Sequence, residues 1–417
     1  MRSGGQRNSA YLLLVCGFLF VFTETILSPF YPQFFAQVFG VEDLALTGQY
    51  VALCRLTVLL SAPIWGFIAR RYDPLKLLII GQSVAAAVTL LLSQASNLSV
   101  FLVLSVLLLL FKSSYFLFYS LLIELQGKKK QASTVGQVQL VVHAALIASA
   151  LASAWVLELT NPLQMFVVVA LLDLLQVGLC VLVFRHRRQN AKLLHAKPSS
   201  IQSSPDSIAI NDADVTVSPA IQSAWAARTI MAYGLLVLGF SIAVNSIRPY
   251  LTAYSSEVLA VDRLSSAYLY LIPSLMAFAV FPILHTAWVK RIQVQQAYAL
   301  MLVLLTLSLA WQAFAEGFYE LVAARMLFGF SMLLGQALLE MYLFANAEHS
   351  PHWYFSLSST VQHAGQLVAP LLAAWVVLGW GLAAPFWLAA LILAGSGLAI
   401  YWGLSAHTAS LPLQRSI

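Results

Sequence analysis

The sequence predicts an all-α integral membrane protein of twelve transmembrane helices, arranged as two pseudo-symmetric six-helix bundles. Three observations predict it. Of the 417 residues, 60% are hydrophobic and 9% charged, against roughly 25% charged in soluble domains, and the mean hydropathy is +0.84; a water-soluble fold would have too little polar surface to cover so much Leu, Ala, Val and Phe. Apolar runs of roughly 20 residues, the length that crosses about 30 Å of hydrocarbon, recur along the whole chain. Finally, VVHAALIASALASAWVL (Val141 to Leu157) returns as VQHAGQLVAPLLAAWVV (Val361 to Val377), so that His143 and His363, like Trp155 and Trp375, stand 220 residues apart.

The first run, 10–34, is too long for a signal peptide, holds Glu24 and lacks a small-residue cleavage site, so it reads as a retained helix. The next five cover 45–69, 75–95, 98–123, 136–158 and 162–184. A second set of six follows at 229–253, 264–289, 295–315, 318–344, 354–378 and 383–404. Between the sets lies RHRRQNAKLLHAKPSSIQSSPDSIAINDADVTVSPAIQSAWAAR, whose Ser, Pro, Asp and Asn content cannot build a core. The expected organisation is therefore an N-terminal bundle over 1–185, a flexible cytoplasmic linker over 186–228 and a C-terminal bundle over 229–417. The same offset aligns SPFYPQFFAQVFGVEDL (Ser28 to Leu44) with RPYLTAYSSEVLAVDRL (Arg248 to Leu264), pairing Pro29 with Pro249, and sets Arg70 and Arg71 opposite Lys290 and Arg291. Six helices have been duplicated.

Charge asymmetry orients the spans. With the N-terminus inside, 17 of the 22 Lys and Arg fall on the cytoplasmic side and only Arg263 on the other, which places both termini in the cytoplasm of a multi-pass protein of the cell (inner) membrane. The pI near 9.2 thus reflects topology and gives no reason to invoke nucleic acid. Cys16, Cys54 and Cys180 all lie in apolar runs, so neither a disulfide framework nor a thiolate metal site is indicated, and no cofactor is expected. An enzyme is not expected either, since no HExxH or GxSxG constellation occurs. Repeats around a site at the bilayer midplane are how many secondary transporters alternate access. With no GxxxxGK[ST] to mark an ATP motor, the energy must come from a gradient.

Six plus six helices, a long central loop and a short basic loop after the second span resemble the major facilitator superfamily over nearly the whole chain. Its G-x-L-A-D-R-x-G-R-K signature corresponds to GFIARRYDPL, Gly66 to Leu75. Gly66, Ala69 and Arg71 fit, whereas Arg70 stands where the family has Asp, and Asp73 where it has Gly. In the family that Asp helps latch the two halves. Here Asp73 is expected to replace it, as partner of a nearby Arg or of a helix N-terminus. PFYP, Pro29 to Pro32, is similar to the P-x-x-P of the twelve-helix drug:proton antiporters, although their G-P-x-x-G-G in the fifth span is missing and Ala148 to Ser153 offers small residues apart from Leu151. The resemblance implies that spans 1, 4, 7 and 10 line a central cavity, with 2, 5, 8 and 11 at its sides and the rest outside.

A charge at the centre of a spanning helix costs about 2.5 to 3.5 kcal/mol, so such residues face a partner or a water-filled cavity. The spans hold Arg55, Lys112, Arg248 and Arg325, together with Glu24 near mid-depth. These four cations and the repeat histidines His143 and His363 are the candidate substrate ligands, and Glu24 is the candidate proton-coupling acid. A structural ion pair, such as Glu24 with Arg55, is the plainer alternative. Asp173, on an outer span, reads as a structural hydrogen-bonding residue. Four cations against one mid-depth acid favour an anion, so the expected function is proton-coupled export of a small carboxylate-rich molecule, such as a citrate-type siderophore, by a monomer in the lipid bilayer. A broad multidrug pump and an organic-anion:proton importer are the rivals.

Overall fold

Proline decides where the first helix of each half breaks. The computed structural model describes residues 4–118, 121–122, 131–195, 227–284, 294–346 and 351–399. Helix α1 (Gly4–Thr25) gives way to a 3-10 turn at Ser28–Phe30, and α2 (Tyr31–Phe39) carries the chain to the membrane edge. Pro29 and Pro32 lack the N–H groups that a continuous helix would need there. In the second half, α8 (Ala227–Ile247) stops just before Pro249, and the chain continues through Leu251–Ala253 into a π-helical turn, Tyr254–Val258. Gly40 ends α2 in the left-handed region at φ 65°, and Ala260, 220 residues later, adopts φ 52°. The repeat thus preserves even a backbone conformation that disfavours alanine.

The remaining helices are α3 (Leu44–Ile68), α4 (Pro74–Leu92), α5 (Leu98–Lys112), α6 (Gln131–Val156), α7 (Met165–His195), α9 (Arg263–Leu284), α10 (Val294–Phe314), α11 (Phe318–Asn346), α12 (Pro351–Trp380) and α13 (Ala384–Ala399). Their N-termini are capped where the sequence supplies a short acceptor: Asp43 takes the N–H of Ala45 at 2.8 Å, Asn97 that of Val100 at 2.9 Å, and Asp262 that of Ser265 at 3.1 Å. The Ser265 hydrogen bonds hold the Asp262 carboxyl below the usual carboxylate range. Among the described residues, 11 spans are long and apolar enough to cross a membrane, and a shorter apolar helix, Ala384–Leu398, follows them. Helix α7 runs ten residues into the segment read as linker, because Arg, Gln, Ala, Lys and Leu favour helix and no proline interrupts before Pro198. Residues 196–226 of that segment lie outside the described residues, as do Lys290 and Arg291.

Pro74 and Val294, Leu98 and Phe318, and Gln131 and Pro351 each open a helix, and each pair is 220 residues apart. The packing repeats as well. Helix α1 lies against α6 and α7, α4 against α5 and α7, and α3 against α5; correspondingly, α8 lies against α12 and α13, α10 against α11 and α13, and α9 against α11. The halves meet where α3 packs on α12 and α6 on α9. Gly48 allows the first contact, since a Cβ there would fall 2.5 Å from both the Pro370 carbonyl and the Ala374 side chain. At the end of the bundle that holds Gly40, hydrogen bonds cross between halves. Tyr250 donates to the Leu44 carbonyl at 2.9 Å, Arg263 Nη1 to the Leu157 carbonyl at 3.0 Å, and Thr252 to the Pro29 carbonyl. That end is closed.

Candidate substrate and coupling site

Arg55 lies midway along α3 and Arg248 just past the end of α8, so they approach the interface from opposite halves. They line one narrow polar cleft with Ser28, Tyr31, Asn245 and Gln366, below the closed end. Arg55 is exposed to the space between the halves, and the Arg248 guanidinium lies 5.8 Å over the Tyr270 ring. Tyr270 in turn shares a 3.0 Å hydrogen bond with Ser28. Among the described residues neither arginine has a carboxylate within ion-pair distance. A guanidinium pair so placed can grip a planar carboxylate through parallel hydrogen bonds.

The other two candidate cations are already occupied within their own halves. Lys112, 2% exposed, ends α5 and points into the N-terminal bundle. Its ammonium donates to Thr23 at 3.0 Å and lies 3.6 Å from Asp173 and 3.8 Å from Glu24. Arg325, 4% exposed, donates to the Leu269 carbonyl at 3.1 Å and to Gln312 Oε1 at 3.3 Å, with its guanidinium 4.8 Å from the Phe328 ring. Neither side chain lines the cleft.

Glu24, 32% exposed, stands between the buried lysine and the cleft and is electrostatically coupled to both Lys112 and Arg55. The repeat histidines occupy different settings. His143 is half-buried with its Nδ1 unpartnered, whereas His363 is exposed. In the loop after α3, Asp73 caps α4 by accepting the N–H of Leu75 at 2.9 Å. Arg70 and Arg71 are exposed, Arg70 lying 6.0 Å over the Phe67 ring, and Gly66 has open space where a side chain would go.

Asp173, read from the sequence as a structural hydrogen-bonding residue, also pairs with Lys112, a contact the sequence reading did not name. It is 0% exposed, faces Lys112, and accepts from Thr23 at 3.2 Å and Thr89 at 3.3 Å. The available signal was its rarity: an acid in the middle of a spanning helix needs a cation, wherever that helix sits.

A two-fold repeat of six spanning helices around a polar cleft defines a multi-pass membrane transporter. The chain belongs to the Major Facilitator Superfamily, whose family profile matches residues 13–350. It is a transporter and not an enzyme. Solved structures similar in fold include a point mutant of the nucleoside transporter NupG, at TM-score 0.70 and 11% identity, over 94% of this chain and 99% of that one. A point mutant of the peptide transporter POT, in complex with sulfate, gives TM-score 0.70 and 14% identity, over 95% of this chain and 93% of that one. No curated protein sequence matches significantly.

Proposed function

We propose that the protein is a proton-coupled secondary active transporter that moves a small carboxylate-bearing organic molecule across the cell membrane, bound between Arg55 and Arg248, with Glu24 as the coupling acid. The observation that carries the reading is the pairing of two arginines, one from each half, on a cleft where no acid of the chain is in ion-pair contact with either of them among the described residues. A substrate held by both would tie binding to the relative movement of the halves. Against a cation-binding multidrug pump stands the Lys112 ammonium at 3.8 Å from Glu24, the acid such a substrate would need. The resemblance to drug:proton antiporters favours export, the basic loops orient both termini to the cytoplasm, and the two bundles would rock against each other.

The test is transport into proteoliposomes under an imposed pH gradient, with labelled citrate and ethidium as probes. Losing one charge-assisted contact costs about 1.5 to 3 kcal/mol. Arg55→Ala and Arg248→Ala should therefore each lower citrate transport roughly ten- to hundred-fold while leaving the protein folded. Glu24→Gln should abolish the dependence on the pH gradient. Ethidium transport that neither arginine variant affects, with no carboxylate moved by the wild type, sinks the anion reading.

A further inference from the structure

The Lys112 cluster joins four helices of the N-terminal half: α1 through Thr23 and Glu24, α4 through Thr89, α5 through Lys112 and α7 through Asp173. Its charges do not balance. One ammonium faces two carboxylates, and an uncompensated charge at a buried site is expensive. A single proton makes the cluster neutral. The two carboxylates are not equivalent holders of it. Asp173 is fully buried, lies 3.6 Å from the Lys112 ammonium and has the Thr23 and Thr89 hydroxyls within hydrogen-bond reach. Glu24 receives no hydroxyl among the described residues and is 32% exposed, so the proton has both a reason to reside there and a route by which to leave.

We propose that Asp173 is a positioning residue for proton coupling: it holds the Lys112 ammonium beside Glu24 and offsets its charge, so that Glu24 takes up and releases one proton. This rests on the proposed coupling role of Glu24. Without Asp173, Glu24 would face an uncompensated ammonium and stay ionised. The other groups that act on Glu24 are Arg55 on α3, with Tyr31 and Cys54 in the same electrostatic neighbourhood. On α6, His143 faces Arg248 instead. Arg55 lines the cleft rather than the buried cluster, so it is counted with the anion's site.

Infrared difference spectra of the purified full-length protein in nanodiscs, recorded across a pH titration, read the protonated carboxyl directly and need no substrate. The wild type should show a titrating carboxyl band that Glu24→Gln removes. In Asp173→Asn the band should appear about one to three pH units lower, the effect of an opposite charge at this range. Asp173→Glu should stay near the wild-type midpoint. Should Asp173→Asn not fold, Lys112→Met with Asp173→Leu removes both buried charges together, and its midpoint should lie within about one unit of wild type because the charge beside Glu24 again sums to zero. An unshifted Asp173→Asn, or a double variant displaced further than that, overturns the role of Asp173. A wild-type band that survives Glu24→Gln overturns the coupling reading itself.

Discussion

The two halves share their helix starts and their packing pairs, yet they differ at their centres. Where the N-terminal half places Glu24, Lys112 and Asp173, the positions 220 residues on are Val244, Met332 and Leu393; Thr89 corresponds to Leu309, and Gln82 to Leu302. Leu309 and Leu393 are fully buried in an apolar core. The C-terminal half carries its own buried cation elsewhere, with Arg325 opposite Ser105 and Gln312 opposite Leu92. Duplication copied the register of the helices, and the polar chemistry of each half then diverged on that scaffold. The cleft between them takes one arginine from each.

The C-terminal half therefore prescribes a replacement for the N-terminal centre, and this gives the largest expected effect. Lys112→Met alone strands Asp173 as a buried, unpaired carboxylate and should destabilise the protein by about 3 to 5 kcal/mol. Adding Asp173→Leu, which gives the N-terminal half the residues of the C-terminal one, should recover most of that loss in thermal melts of the solubilised protein. A double variant no more stable than Lys112→Met would show that the two centres are not interchangeable.

A middle-sized effect belongs to Gly48, whose repeat partner Tyr268 is 43% exposed. Because the space beside Gly48 is filled by the backbone of Pro370 and by Ala374, Gly48→Ala should weaken the closed end by about 1 to 3 kcal/mol of overpacking. Spin labels on the exposed Glu42 and Glu257 would report longer distances between the halves; an unchanged distribution would mean that the contact does not hold that end shut.

The smallest effect tests the shared backbone turn. Ala260→Gly should stabilise the protein by about 1 kcal/mol, because glycine enters the left-handed region without the clash that alanine meets. Gly40→Ala should destabilise it by a similar amount. Melting shifts of opposite sign at the two positions would confirm that the repeat imposes one conformation on two different residues.

The spans were legible because membrane helices advertise themselves by length and hydropathy, and the halves because His143 and His363 keep a constant offset. The break between α1 and α2 was signalled by Pro29 and Pro32, yet a hydropathy window reads across it. The partner of Lys112 was not legible. Asp173 meets it from a helix two spans later, and such a contact is fixed by how helices rotate against one another, which neither period nor composition records. The same reason hid Gln312 behind Arg325. Two of the four cations thus turned inward within their own halves, while Arg55 and Arg248 came together on the cleft.

The pairing of Lys112 with Asp173 also bears on how the chain is made. The span with the lysine emerges during synthesis well before the span with the aspartate, and a lone lysine in lipid carries a penalty of about 2.5 to 3.5 kcal/mol. Helix α5 should therefore linger beside the insertion machinery until α7 arrives, so that α1, α4, α5 and α7 leave it as one assembled unit. A nascent chain cut after residue 158 offers Lys112 only the partly exposed Glu24 and lacks the buried Asp173, so it should remain crosslinkable to the translocon longer than one cut after 195.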